Sequence, residues 1–227
     1  MGKKFAQMAP LAAALLLAAC QSPQIAVSAL PGNAVPADHP AIVQSMEAST
    51  PMQAGGETDA PSGYLAFCRR QPAECADPAN APDVVALNAS VWSALEQVNA
   101  AYNAAIRPEE DAIHYGRVDY WTIPADGYGD CEDYALAKRK ALIAANLSPR
   151  ALRIAVARSK QGEAHAVLTV ATDRGDYVLD NLTNTVLPWN ETNLSWIARE
   201  APGQAQWALL DAGAASNIVV ASTALHR

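Results

Sequence analysis

The chain has 227 residues, which is enough for one domain with tails or for two small domains. Hydrophobic residues make up 51% of the chain and charged residues 17%, so a packed core can form, although only 6% of the residues are aromatic. The formal net charge is −7 and no basic patch stands out, which argues against a nucleic-acid-binding protein.

The first twenty residues are predicted to be a targeting segment. Lys3 and Lys4 form a positively charged start, and the run 11–19 consists only of leucine and alanine. This run is too short to span a membrane comfortably. We therefore expect an export signal and a mature chain outside the cytoplasm.

The targeting segment ends in Leu-Ala-Ala-Cys, which resembles a bacterial lipobox. The resemblance predicts cleavage before Cys20 and acylation of the Cys20 thiol. Gln21 follows, and bacterial lipoproteins without aspartate at this position usually go to the outer membrane. The prediction is a protein held by a lipid anchor on the periplasmic side of that membrane. The alternative is an ordinary signal peptide, cut near Ala19, that leaves a soluble periplasmic protein.

Residues 21–60 are predicted to be a flexible tether. The segment 30–40 is rich in proline, and Gly55 and Gly56 follow with no hydrophobic period. We expect the ordered domain to begin near Pro61 and to occupy residues 61–227.

Three further cysteines lie in the predicted domain. Cys68 and Cys75 are seven residues apart, and no nearby histidine or further cysteine completes a zinc site. A local disulfide between them is the simplest expectation in an oxidising compartment. Cys131 is then unpaired, and an odd thiol in an exported protein indicates either a reactive residue or an inert buried one.

Two helices are predicted in the first half of the domain. Apolar residues at steps of three and four predict a helix over 83–106, with Asp83 as its cap and Pro108 as its stop. A second helix is predicted over 131–146, with Asp130 as its N-cap and Asn146 at its end. Three basic residues of this helix are expected at solvated positions: Lys138, Arg139 and Lys140.

The second half of the domain is predicted to be a sheet. Alternating apolar residues and turn signals predict strands over 152–158, 165–172 and 177–182, and two later apolar runs, 206–210 and 217–221, can add strands. Helices followed by a run of strands predict an α+β fold.

The sequence Gly-Asp-Cys-Glu-Asp-Tyr at 129–134 carries the strongest chemical signal. A helix N-terminus favours the thiolate of Cys131, whereas carboxylates on both sides of it raise the thiol pKa. A hard cation on those carboxylates would remove the conflict. Taken alone, the cysteine is equally consistent with a small buried side chain, and the carboxylates with ordinary charges at a helix start.

His165 and Asp180 supply the two other residue types that a nucleophilic cysteine needs. On consecutive strands joined by a two-residue turn, these two side chains point to the same face. If the turn is Asp173-Arg174, they are diagonal neighbours within reach. If it is Arg174-Gly175, they are offset by four positions, or roughly 13 Å.

Three segments match a known family: Gly-Asp-Cys-Glu-Asp-Tyr at 129–134, His-Ala-Val-Leu at 165–168 and Leu-Asp-Asn at 179–181. With Asp-Tyr-Trp-Thr-Ile-Pro at 119–124 they resemble the bacterial transglutaminase-like cysteine proteinases, which include the LapG-type adhesin proteases. The resemblance is close over 119–190 and extends over 61–227. It implies a papain/transglutaminase-like fold, in which the catalytic helix packs on an antiparallel sheet.

The resemblance also implies roles for individual residues. Cys131 is expected to be the nucleophile, His165 the general base and then acid, and Asp180 the residue that orients the imidazole. In LapG-type members calcium is bound by acidic residues beside the cysteine, and the matching positions are Asp130, Glu132 and Asp133. Oxygen ligands suit calcium.

LapG-type members cleave a large surface adhesin, control biofilm attachment, and are sequestered by an inner-membrane cyclic-di-GMP receptor. The resemblance therefore implies a protein substrate and these two partners. The first hypothesis is a calcium-dependent cysteine endopeptidase. Amide transfer through the same thioester is a second hypothesis, and a non-catalytic calcium-binding lipoprotein is a third.

Overall fold

The computed structural model describes residues 49–202 and 206–210. Four α-helices are present in this part of the chain: α1 Ser62–Arg70, α2 Ala89–Ala105, α3 Asp111–His114 and α4 Cys131–Ala144. The strands are β1 Glu57–Thr58, β2 Arg107–Pro108, β3 Tyr128–Gly129, β4 Leu152–Arg158, β5 Ala164–Thr172, β6 Gly175–Leu179, β7 Leu187–Pro188, β8 Ser195–Glu200 and β9 Trp207–Leu209. None of these helices is long and apolar enough to cross a membrane.

Seven strands form one antiparallel sheet, in the order β1-β9-β8-β4-β5-β6-β7. The short strands β2 and β3 form a separate parallel pair beside the start of α4. The predicted α+β plan, with the cysteine helix packed on an antiparallel sheet, is confirmed.

The sheet is covered on both faces. Helices α2 and α4 pack on one face, where the core side chains of β4 and β5 include Ile154, Val156 and Leu168. On the other face Val167 and Val178 pack with residues of the β7–β8 segment. Because both faces are buried, β4 and β5 are apolar almost throughout rather than alternating.

Helix α2 begins six residues later than predicted. Its N-cap is Asn88, whose side chain accepts a hydrogen bond from Val91 N at 2.9 Å. Asp83 does not cap the helix, because its carboxylate binds the Arg150 guanidinium at 2.6 Å. The backbone between Asp83 and Asn88 is held by a β-bridge from Val85 to Thr172. Pairing with the sheet therefore overrides the helical period of the sequence in this segment.

Helix α4 begins at Cys131 with Asp130 as its N-cap, as predicted, although the Asp130 side chain makes no capping hydrogen bond. The solvated positions predicted for Lys138 and Arg139 are wrong, since these residues are 0% and 2% exposed. Arg139 binds the buried Glu200 of β8 at 3.0 Å, while the Lys140 side chain remains exposed. A buried cation paired with a carboxylate from a distant strand leaves no local trace in the sequence.

The sheet contains a strand that was not predicted. Strand β8 pairs with β4 on one side and β9 on the other, so it is central although its hydrophobic alternation is interrupted by charged residues. Its two charged residues, Arg199 and Glu200, are buried and paired with Asp176 and Arg139 respectively. The predicted strand at 217–221 lies outside the described residues.

The predicted tether extends too far toward the domain. Met52 is buried, and β1 adds a strand to the sheet edge beside β9. The Ser49 hydroxyl donates to the Asp176 carbonyl at 2.6 Å. This contact requires a glycine at 175, since a Cβ there would lie 2.5 Å from the backbone of residues 49 and 50. The remainder of the predicted tether, the targeting segment and Cys20 lie outside the described residues.

Cys68 and Cys75 form a disulfide, with their Cα atoms 5.5 Å apart. It joins the end of α1 to the short 3-10 helix Pro72–Cys75. The pairing expected from the sequence spacing is thus present, and Cys131 is the free cysteine of the described residues.

Candidate active site

Cys131 is the first residue of α4, and its side chain is 8% exposed. The Sγ atom accepts a hydrogen bond from Ala166 N at 3.4 Å. This N–H is free to do so because β6 pairs with β5 only as far as Leu168. The end of β5 that extends past β6 therefore holds the sulfur through Ala166, the residue that follows His165.

His165 and Asp180 meet across the β5–β6 hairpin. The observed pairing of Thr172 with Gly175 places Asp173 and Arg174 in the turn, which is the register that makes the two side chains diagonal neighbours. His165 Nε2 lies 2.8 Å from Asp180 Oδ1. With Nε2 engaged in this way, Nδ1 is the ring nitrogen that this contact leaves available.

Cys131 and His165 line the same cleft, which has a volume of about 670 Å³. Its walls come from the 108–113 segment, the start of α4, the β4–β5 turn and the residues just after Asp180. The structure thus brings together all three residues predicted for the triad.

The pKa values of Cys131 and Asp180 are shifted in opposite directions. Burial raises the pKa of the Cys131 thiol well above its ordinary value, and the Glu132 and Asp130 carboxylates raise it further. The thiol itself donates to Glu132 Oε2 at 3.1 Å. Burial also acts to raise the pKa of Asp180, but the hydrogen bond and the charge of His165 outweigh it, so that this pKa is lowered.

Four buried carboxylates surround the start of α4. Asp111, Asp130, Glu132 and Asp133 are each at most 8% exposed, and each has one buried oxygen without a hydrogen-bond partner among the described residues. One oxygen each of Asp111, Asp130 and Asp133 lies within 4.8 Å of the others. Three buried carboxylates at this spacing fit a hard divalent cation such as calcium, and Glu132 falls in a second group, with Asp130 and Cys131.

The pKa values of the carboxyl groups in this cluster are raised. Burial, followed by neighbouring carboxylates, raises the pKa of Asp130 to about 6, and burial raises that of Asp133 to about 9. The pKa of Glu132 is raised well above its ordinary value for the same reasons. Without a cation the cluster therefore takes up protons, and a bound cation would favour the ionised form of each group.

Asp111 was not predicted as a metal ligand. It lies 19 positions before Asp130, in a segment with no hydrophobic period. The segment returns to α4 because β2 pairs with β3, and because Asp111 accepts a hydrogen bond from Tyr120 N. Only the chain fold brings this carboxylate to the cluster, and the sequence carries no spacing signal for it.

Gly129 leaves the space in which Asp133 sits. A Cβ at position 129 would lie 2.7 Å from both Cβ and Oδ2 of Asp133. The opposite oxygen, Asp133 Oδ1, accepts from Thr122 N at 2.8 Å, which fixes the carboxylate toward the 119–124 segment. The glycine of the 129–134 motif is therefore needed for close approach.

A second set of polar groups, on α2 and α4, holds the segment that carries Asp180. Lys138 Nζ donates to Asn99 Oδ1 at 2.7 Å, and Asn99 Nδ2 donates to the Thr183 carbonyl at 2.9 Å. Asn103 Nδ2 binds the Asp180 carbonyl at 3.0 Å. Burial lowers the pKa of Lys138 to about 7, while the charge of Asp180 acts in the opposite direction. Helices α2 and α4 thus hold the turn that carries Asp180.

Lys138→Met is expected to lower stability by about 1–3 kcal/mol, because it leaves Asn99 Oδ1 buried without a partner. It is also expected to raise the pKa of Asp180, since the Lys138 charge lowers that pKa, and so to move the acid limb of the pH–rate profile upward. Urea unfolding and pH–rate profiles check both effects. Lys138→Arg should restore the acid limb, and Lys140→Met on the exposed side is the control. An unshifted limb in Lys138→Met would show that the lysine is only structural.

Comparison with known proteins identifies the family of this chain. The model of the bacterial transglutaminase-like cysteine proteinases (BTLCP) matches residues 54–215, which is more than half of the chain. None of the curated proteins compared matches the chain.

Solved structures of LapG from Legionella pneumophila, one calcium-bound and one EGTA-treated, are 32% identical to this chain over 48% of its length, with a TM-score of 0.43. The chain covers 64% and 62% of them respectively, which is less than two thirds of their length. By the extent of its family match, the chain belongs to the bacterial transglutaminase-like cysteine proteinases.

Proposed function

We propose that this chain is an exported calcium-dependent cysteine endopeptidase in which Cys131, His165 and Asp180 form the catalytic triad. The observation that carries the proposal is the contact of His165 Nε2 with Asp180 Oδ1 at 2.8 Å, next to a sulfur that is bound to Ala166 N. Acyl transfer by a thiol needs a cysteine, a base beside it and a carboxylate that orients the base.

The proposed cycle uses the two nitrogens of His165 separately. Nε2–H donates to Asp180, and Nδ1 accepts the Cys131 proton as the sulfur attacks a peptide carbonyl. The imidazolium then returns this proton to the leaving amine, and a thioester remains on Cys131. Water, deprotonated by Nδ1, hydrolyses the thioester and regenerates the thiol.

The Cys131 backbone N–H is the proposed donor to the tetrahedral oxyanion. As the first residue of α4, Cys131 has an N–H without an acceptor inside the helix, and the positive end of the helix dipole adds to it. The sulfur and this donor belong to one residue, so an attacked carbonyl meets both at once.

We propose that calcium is held by Asp130, Glu132 and Asp133, together with Asp111. The support is the set of four buried carboxylate oxygens without partners. When bound, calcium supplies positive charge that compensates these carboxylates and lowers the pKa of the neighbouring Cys131 thiol. The chain's own contribution is to hold the four carboxylates beside the helix start through Gly129 and the β2–β3 pair.

The wider biology is proposed from the family resemblance. The substrate is proposed to be a large surface adhesin, so that cleavage would release attached cells from a biofilm. An inner-membrane cyclic-di-GMP receptor is the proposed regulator. A lipid on Cys20 would hold the enzyme on the periplasmic side of the outer membrane. Incubation of candidate adhesins with the purified protein, with mass-spectrometric mapping of new ends, tests the substrate directly.

The proposed thiol activation is tested by the rate at which Cys131 is alkylated at neutral pH. We expect fast labelling by iodoacetamide with calcium, and labelling at least about 10-fold slower with a chelator, since each unit of pKa shift changes the thiolate fraction tenfold. His165→Ala should abolish the fast phase, whereas His114→Ala in α3 should retain it. Slow labelling that is indifferent to calcium and to His165 would contradict the proposed function.

A further inference from the structure

A second cavity, of about 390 Å³, adjoins the catalytic cleft on the Asp180 side. The two share Ser159, Gln161 and Leu182 as wall residues, so they lie side by side. The second cavity lies between the β4–β5 turn and the segment from residue 182 to residue 194, on the sheet face opposite α4. Its position beside the cleft that holds the nucleophile puts the cavity within reach of a polypeptide bound there.

The lining of this cavity is largely neutral. Aliphatic side chains and threonine hydroxyls make most of its wall: Val178, Leu182, Leu187, Leu194, Thr183, Thr185 and Thr192. Its charged residues among those described are Lys160 and Asp180, and the Asp180 carboxylate is already bound to His165 and to Leu182 N. A charged side chain would lose hydration here without gaining a free partner of opposite sign beyond Lys160.

The catalytic cleft has a different character. Four carboxylates line it (Glu109, Glu110, Asp130 and Glu163), and no lysine or arginine of the described residues does. The two neighbouring cavities are therefore acidic around Cys131 and aliphatic beyond Asp180. A polypeptide lying along them meets two distinct chemical environments within a few residues of the scissile bond.

We propose that this second cavity is a specificity subsite that takes an uncharged aliphatic side chain of the polypeptide substrate. The proposal rests on the proposed function, because the bound polypeptide is the substrate of the Cys131 site. The side chain fills the space lined by Leu182, Leu187 and Leu194, and its burial there removes apolar surface from water. Selectivity arises because each methylene in such a pocket contributes to kcat/KM.

The test is the cleavage profile of a peptide mixture from a digested proteome, with calcium present and new ends mapped by mass spectrometry. We expect valine, leucine or isoleucine to be enriched at one fixed position from the cleaved bond. Leu187→Glu should lower kcat/KM for peptides with these residues at least about 10-fold, mainly through KM, and favour lysine or arginine at that position. Leu187 is half-buried and lies outside the hydrophobic core clusters, so the substitution should not affect folding.

Two further variants make the test decisive. Leu182→Glu, at a site that is 67% exposed, should produce the same change of preference if Leu187→Glu does not fold. Leu65→Glu on α1, which is 44% exposed and lines neither cavity, should leave the profile unchanged. Cleavage without aliphatic preference, or with a preference that neither variant alters, would overturn the subsite and leave the endopeptidase intact. Absence of any Cys131-dependent cleavage would overturn both.

Discussion

Replacement of Cys131 by serine is expected to lower kcat/KM for peptide hydrolysis by at least about 10⁴-fold, which is the scale of losing the nucleophile of a triad. Serine keeps the hydrogen bonds to Ala166 N and Glu132 within reach, and it is close to cysteine in size. The loss should therefore come from chemistry rather than from unfolding. A fluorogenic peptide, identified from the cleavage profile, measures the rate.

Variants of His165 test whether Cys131 and His165 act together in catalysis. His165→Ala should cost a similar factor, and the double variant should be no worse than either single one, since the two residues act as a unit. An unchanged melting temperature in Cys131→Ser is the control for folding. Hydrolysis retained by purified Cys131→Ser would contradict the mechanism.

A labelled amine in the same assay separates hydrolysis from amide transfer. In amide transfer, the amine would attack the thioester and enter the product faster than water hydrolyses the thioester.

Calcium is expected to raise the melting temperature by about 5–10 °C at 100 times its Kd near pH 8. Ligand linkage at that excess contributes about 2.7 kcal/mol, and for a chain of this size each kcal/mol shifts the melting temperature by about 2–4 °C. Scanning calorimetry with calcium and with a chelator measures the shift. Magnesium at equal concentration is the control for ionic strength.

The same cluster fixes the sign of the pH dependence. In the metal-free protein the pKa of Asp133 is raised from 3.8 to about 9, and that of Asp130 to about 6. Their protonated forms therefore stabilise the fold fully below about pH 3.8, and this stabilisation is lost as pH rises toward 9. The pKa of Asp180 is lowered, so its contribution is complete above its ordinary pKa. The metal-free protein should melt lower at pH 8 than at pH 5, and the calcium shift should grow over that range.

Asp133→Asn separates the metal from the rest of the cluster. The asparagine amide keeps an oxygen that accepts from Thr122 N, but it removes the carboxyl group whose pKa is raised by burial. The variant should melt higher than the metal-free parent at pH 8 and respond less to calcium. Asp126→Asn, in the same connecting segment but with an exposed carboxylate bound to His114, is the matched control. A full calcium response in Asp133→Asn would remove this residue from the metal site.

Local sequence determined much of the candidate site. Cys131 lies in the first turn of α4 as predicted, because a helical period begins there and acidic residues in the first turn favour a helix start. Strand alternation places His165 and Asp180 on one face, because side chains of a strand alternate with period two. The motif at 129–134 carried the family assignment, and the family match bears it out.

Tertiary structure decided the rest. The turn at Asp173-Arg174 brought His165 and Asp180 within 2.8 Å, and sequence alone allowed a second register in which they do not meet. Asp111 reached the acidic cluster through the β2–β3 pair. Lys138 and Arg139 became buried because their partners, Asn99 and Glu200, come from distant elements. Each of these outcomes depends on contacts between segments far apart in the chain, and no local propensity encodes such contacts.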